Sequence, residues 1–201
     1  HRDLHSFPTR RSSDLGVNTI IRVGTSGGLA PDVKPGDLMV ISSCIRYSGT
    51  SNLFIPENFP AVADYLLLMA LVSACDDSGV NYHVGMGLSL DSFYATKPAL
   101  LRENFPSMIY GKLEEWIAAG ALQLDMEAAT LYVLSSLLKI KAVTICTAGS
   151  NIPKGERPDP HPSNENAIRA ACEGALKYNN WHEISIRRGK DFTLPPIADQ
   201  G

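Results

Sequence analysis

Arg22 closes an apolar run, "NTIIRV", and stands directly before Gly24, Thr25, Ser26, Gly27 and Gly28. Glycines let backbone N–H groups approach an anion, and hydroxyls such as those of Thr25 and Ser26 add donors. Arginine presents a planar fork matched to phosphate oxygens. Together they read as an oxyanion cradle built on a glycine-rich turn after a strand. The plain alternative is an exposed arginine beside a tight turn. No Gly-Lys-Ser or Gly-Lys-Thr follows, so the stretch is not a P-loop.

A second group is "LDMEAAT", where Asp125 and Glu127 flank Met126 at a strand-to-helix junction. Such carboxylates either cap the helix through its dipole or face a ligand. Glu127 opens a helix too apolar for a surface element, and an ionised carboxylate there needs partners such as sugar hydroxyls or an arginine. The third group is "LDSFYATKP": Phe93 and Tyr94 offer ring faces for stacking, and Asp91, Ser92 and Lys97 offer polar groups. Arg46, His83, Trp116 and His161 are open to either a structural or a site reading. A histidine inside a strand, as His83 is, more often belongs to the scaffold.

These groups need elements to position them. The chain has 201 residues, 44% apolar and 19% charged, which suits one soluble domain with a substantial core. A net charge of -3 offers no general attraction to nucleic acid or anionic lipid, so anion recognition falls to a few placed groups. The apolar stretch around Leu66 to Cys75 is too short for a membrane span. Four cysteines, widely spaced and without a CxxC pattern, suggest reduced, buried thiols in a cytoplasmic protein.

From Val17 onward short strand-like runs alternate with helical patterns, which predicts an α/β fold with helices packed on a sheet. Strands are expected at "NTIIRVG", "DLMVISSCIRYSG", "NYHVGMGLSL", "ALQLDM" and "KAVTICTAGS". Helices are expected from near Pro60 to Gly79, over "KLEEWIAAG" closed by Gly120, over the buried "EAATLYVLSSLLK", and over "SNENAIRAACEGALKY" with Ser163 as its cap. "PKGERPDPHPSN" reads as a Pro-rich polar loop. Residues 1–15 are polar and Arg/Ser-rich without a hydrophobic period, and read as a non-native or disordered leader. The domain is expected over 16–180, with an aperiodic tail over 181–201.

The three stretches, in this order, make the chain similar to the nucleoside phosphorylase family. The likeness rests on "IRVGTSGGLAPDVKPGDLMVISS", "NFPAVADYLLLMALVSA", "HVGMGLSLDSFY", "KLEEWIAAGALQLDMEAATLYVLSSL" and "KAVTICT". Through "FPAVADY", "DSFY" and "LEEW" it most resembles the uridine phosphorylase members. The resemblance implies a central mixed sheet, partly closed into a barrel and flanked by helices, assembled as dimers within a hexamer. It implies phosphorolysis of a nucleoside to free base and ribose 1-phosphate, with inorganic phosphate as co-substrate and no metal or organic cofactor. Arg22 matches the family's phosphate-binding arginine and Thr25 the threonine between phosphate and ribose. Ser26 and Gly27 lie where the loop nears the base, Phe93 where an aromatic stacks, and Met126 and Glu127 match the pair that holds the ribose. Arg22 and Glu127 are the implied catalytic residues. Arginine at position 22 separates the chain from the related nucleosidases, which use water.

The sequence also departs from the family. Where uridine phosphorylases carry a Gly-Gln-x-Arg segment that reads the uracil edge, this chain has Ala95, Thr96, Lys97 and Ala99. Where purine phosphorylases carry a Ser-Asp that protonates the leaving base, it has Ser150 and Asn151. Lys97 and Asn151 are the remaining candidates for base contacts. The family's first strand and its Gly-Asp-Pro-Gly-Arg type phosphate loop have no counterpart before Arg22. The chain therefore reads as a truncated member, weak or inactive as it stands. The alternatives are a purine or broad-specificity phosphorylase, a nucleosidase using water, and a non-catalytic fragment that retains a ribose pocket.

Overall fold

The computed structural model describes residues 16–94, 112–156 and 163–190. Six strands form one mixed sheet: β1 (Thr19–Gly28), β2 (Leu38–Tyr47), β3 (Ala61–Val62), β4 (Tyr82–Leu90), β5 (Ala121–Asp125) and β6 (Lys141–Asn151). Their order is β3-β2-β4-β5-β1-β6, and β6 also pairs with β2, so five strands close a barrel with β3 appended. The pairs β1/β6, β2/β4 and β4/β5 are parallel, whereas β1/β5, β2/β6 and β2/β3 are antiparallel. The expected α/β architecture is the one found.

Four helices flank it: α1 (Tyr65–Ser78), α2 (Leu113–Ala118), α3 (Ala128–Leu138) and α4 (Glu165–Arg187). Helices α1 and α4 cover one face of the sheet, burying Leu67, Leu71, Ala167 and Ala170 against Leu38, Val40, Val143 and Ile145. Gly174 of α4 sits directly against Leu71, where even a Cβ would lie within about van der Waals limits of the α1 backbone at 3.1 Å. On the other side α3 packs Ala129, Tyr132 and Val133 among Met39, Ile41, Cys44 and Cys146. The nearly all-apolar α3 is buried over its first two turns and surfaces at Leu137 and Leu138.

Several boundaries differ from the sequence expectation for identifiable reasons. Helix α1 begins at Tyr65 rather than near Pro60, because Ala61 and Val62 pair with Cys44 and Ser43 and Asp64 then caps the helix, accepting from Leu67 N at 3.0 Å. Gly79, at φ 66°, ends it. Helix α4 runs through Trp181 to Arg187, so residues 181–187 are helix and not tail. Ion pairs and hydrogen bonds at i,i+4 spacing, Arg187 to Glu183 and Asn179 to Glu183, carry it past the last apolar repeat. Asn164 occupies its N-cap position, while the Ser163 hydroxyl accepts from Glu165 N at 3.4 Å. Cys44, Cys75 and Cys146 are buried thiols as expected, but Cys172 is exposed on α4.

Two of the ambiguous residues are scaffold. Arg46 gathers the 50–59 segment, donating to the Ser51 hydroxyl, the Asn52 carboxamide oxygen and the carbonyls of Ile55, Pro56, Glu57 and Phe59. His83 on β4 lies between Asp37, 2.9 Å from its Nε2, and Asp32, 3.6 Å from its Nδ1. Burial opposes the charge of Asp37, but hydrogen bonds from Asn81, His83 and Lys34 N outweigh it and hold this carboxyl below its ordinary range.

The closing seam joins Leu38–Ile41 of β2 to Thr144–Thr147 of β6. At its end the Tyr132 hydroxyl donates to Ile41 O at 2.5 Å and accepts from Thr144 N at 2.9 Å. Tyr132→Phe removes both of these buried bonds and is expected to destabilise the chain by about 1–3 kcal/mol in denaturant unfolding. A carboxyl with a depressed folded-state pKa stabilises fully above its unfolded value and loses that contribution as pH falls through the folded one. Asp37→Asn is therefore expected to lower stability at pH 7 and to flatten the acid limb of a stability–pH profile below about pH 4.

Candidate active site

The glycine-rich stretch is not a turn. Residues 24–28 continue β1, paired with Cys146–Asn151 of β6 across one bulge at Ser26/Gly27, and none of their glycines has a positive φ. The glycines serve close approach instead. A Cβ on Gly24 would stand 3.1 Å from both terminal nitrogens of Arg22, one on Gly27 2.5 Å from Ile152 Cδ1, and one on Gly28 2.6 Å from Val33 Cγ1. Gly24 is thus the surface over which the Arg22 guanidinium folds back.

That fold brings four groups together. Arg22 Nη2 donates to Glu127 Oε2, while Nη1 lies 3.4 Å from Asp125 Oδ2 and 3.1 Å from Cys146 Sγ. Cys146 pairs with Gly24 in the β1/β6 ladder, which is why its thiol faces the guanidinium. The Arg22 side chain is 19% exposed. Burial opposes its charge, but the hydrogen bond to Cys146 and the charges of Asp125 and Glu127 outweigh that and raise its pKa above the ordinary value. The arginine is fully charged. Burial pushes the Cys146 thiol up to about 11 despite Arg22, so it stays neutral.

Only one of the two carboxylates caps the helix. Asp125 caps α3: its oxygens accept from Ala128 N at 3.3 and 3.4 Å, and Oδ1 accepts from the Ser89 hydroxyl at 2.6 Å. Ser89 Oγ in turn accepts from Ala129 N at 3.0 Å. Ser89 and Asp125 are register partners on β4 and β5, so the two strands end on one helix N-terminus. Burial raises the Asp125 pKa against the pull of Arg22 and Ser89. Glu127 makes no side-chain cap. It reaches outward, accepting from Met126 N at 3.2 Å and from Arg22. Its side chain is 56% exposed where that of Asp125 is 1% exposed.

Among the remaining residues singled out, Thr25 and Met126 are exposed beside this cluster in sequence, and Ser26 is half-buried. Phe93 and Tyr94 follow the end of β4, both exposed, with ring centroids 5.5 Å apart in an edge-to-face arrangement. Asp91 is committed to the scaffold, accepting from Gly49 N at 2.6 Å and from the Thr50 hydroxyl at 3.3 Å. Trp116 packs on Tyr47 with centroids 4.6 Å apart. Lys97 and His161 lie outside the described residues.

Asn151 is not placed to read a base. It is fully buried, its Nδ2 donates to Ala30 O at 2.8 Å and Val33 O at 2.9 Å, and its Oδ1 accepts from Lys154 N at 3.2 Å. The amide thus ties the end of β6 to the loop after β1, where Ala30 O also accepts from Val33 N at 3.3 Å. Ser89 and Cys146 are the site residues that sequence reasoning did not single out. Their only signal is register across strands, which a linear pattern does not carry.

The sequence model of the phosphorylase superfamily matches residues 2–177, and the chain belongs to that superfamily. The match begins within the stretch read as a leader. A uridine phosphorylase of Thermococcus kodakarensis is 33% identical over 183 residues, covering 90% of this chain and 65% of the relative. A uridine phosphorylase of Klebsiella aerogenes is 30% identical over 177 residues, covering 86% and 70%. A guanosine phosphorylase of Halorubrum lacusprofundi is 33% identical over 145 residues, covering 72% and 55%. The chain thus spans roughly two thirds of the length of the uridine phosphorylases it matches. No helix among the described residues is long and apolar enough to cross a membrane.

Removing the Asn151 amide takes the side-chain donor from the carbonyls of Ala30 and Val33 and the acceptor from Lys154 N. Asn151→Ala is expected to lower unfolding stability by about 2 kcal/mol or more. A variant of unchanged stability contradicts the anchor role.

Proposed function

We propose that this site carries out phosphorolysis of a nucleoside, with uridine the preferred substrate. One observation carries the reading: a charged arginine and an outward-reaching carboxylate meet at the mouth formed by the ends of β4 and β5 and the middle of β1. Two of the three relatives named above are uridine phosphorylases and one is a guanosine phosphorylase, and the "DSFY" and "LEEW" segments favour uridine.

Cleavage of the glycosidic C–N bond builds positive charge on the ribose. Arg22 offers a planar fork to hold phosphate beneath the sugar, and the exposed Thr25 hydroxyl adds a donor on the same strand. Glu127, exposed and bonded through Oε2 alone, offers its other oxygen to the ribose hydroxyls. Phosphate and carboxylate then place negative charge where the transition state needs it. The apolar body of Met126 and the rings of Phe93 and Tyr94 supply surface for the sugar and the base. Phosphate enters as nucleophile and leaves as ribose 1-phosphate, and no metal or organic cofactor is called upon. Among the described residues the site sets one arginine against two carboxylates, a balance that disfavours a dianion.

The test is uracil release from uridine with and without inorganic phosphate, together with detection of ribose 1-phosphate. Release is expected only with phosphate. Equal release without it contradicts the phosphorylase reading and favours a nucleosidase. Arg22→Lys keeps the charge but loses the fork, and is expected to lower kcat/KM for phosphate by about 10²-fold.

A further inference from the structure

Arg22 has two acidic partners of opposite character. Asp125 is buried, tied to Ser89 and to the first turn of α3, and has no freedom to leave. Glu127 is more than half exposed, caps nothing, and holds Arg22 through a single oxygen. With both in place the guanidinium is already neutralised, and an incoming phosphate would meet Glu127 across the same edge that it must occupy.

We propose that Glu127 is a gate on the anion site: sugar hydroxyls that take Glu127 release the Nη2 edge of Arg22 to phosphate, while Asp125 keeps the arginine in position. This rests on the nucleoside and phosphate reading of the same site. Two features make the exchange feasible without moving the scaffold. Gly24 leaves the guanidinium lying on bare backbone, so its outer edge can turn from one acceptor to another. Nη1 retains Asp125 at 3.4 Å and the neutral Cys146 thiol at 3.1 Å throughout. A ribose hydroxyl donates to the Glu127 carboxylate in place of Arg22, so the carboxylate keeps a partner and the arginine gains one. Each ligand thereby removes a competitor of the other, and linkage requires the effect to be mutual.

Isothermal titration calorimetry of the full chain with inorganic phosphate, with and without saturating uridine, tests this. In the parent chain uridine is expected to tighten phosphate binding by about fivefold or more. In Glu127→Gln, which keeps the shape and removes the charge, phosphate alone is expected to bind about tenfold tighter than to the parent, and uridine is expected to add nothing. Thermal unfolding of the variant checks that it is folded, and the uridine effect in the parent stands independently of it. Phosphate and uridine binding that is mutually indifferent, with Glu127→Gln equal to the parent, overturns the gate and leaves the substrate reading intact. Failure of both ligands to bind overturns both.

Discussion

One largely covered positive charge governs this site. A guanidinium withdrawn from water requires acceptors, since an unpaired charge in a protein interior is costly. Arg22 is carried by β1, folds back over Gly24 and finds Asp125, Glu127 and Cys146 there. Unit charges about 4 Å apart attract by about 4 kcal/mol at the effective permittivity of such a site, against about 1 kcal/mol in water. That difference makes the contact an organising one. It fixes where the end of β5, the start of α3 and the middle of β1 stand relative to one another.

The rest of the fold can be read as the means of holding that contact. The Ser89–Asp125 pair joins β4 and β5 to the N-terminus of α3. From the second turn of α3, Tyr132 reaches back to fasten the β2/β6 seam, so the helix that presents Glu127 also closes the barrel. The glycines of β1 allow Arg22, Ile152 and Val33 to press against its backbone. Asn151, at the end of β6, holds the loop that leaves β1. A stability defect at Tyr132 or Asn151 would accordingly reach the site through the elements that carry it.

Much of this was legible in the sequence. The alternation of short strands and helices gave the α/β class, and the pairing of "RVGTSGG" with "LDMEAA" identified the arginine and the carboxylate that meet. The glycines of β1 were misread because a Gly-rich stretch after an apolar run looks like a turn, and only packing shows that the missing Cβ atoms admit neighbours. Asn151 looks available as a polar residue at a strand end, whereas the carbonyls of Ala30 and Val33 claim its amide. Ser89 and Cys146 were invisible because their roles come from strand register between segments far apart in the chain. Local pattern does not say which of the two carboxylates caps the helix; burial and the bonds from Ala128 N give the cap to Asp125 and leave Glu127 at the surface.

The central claim is that Arg22 and Glu127 form one site that takes phosphate and a nucleoside together. A crystal structure of the chain with phosphate and uridine tests it most directly. The account predicts phosphate against the Arg22 guanidinium and the Thr25 hydroxyl, with the ribose hydroxyls on Glu127 and the arginine still beside Asp125. Phosphate and uridine bound elsewhere, with Arg22 and Glu127 still paired to each other, would contradict it.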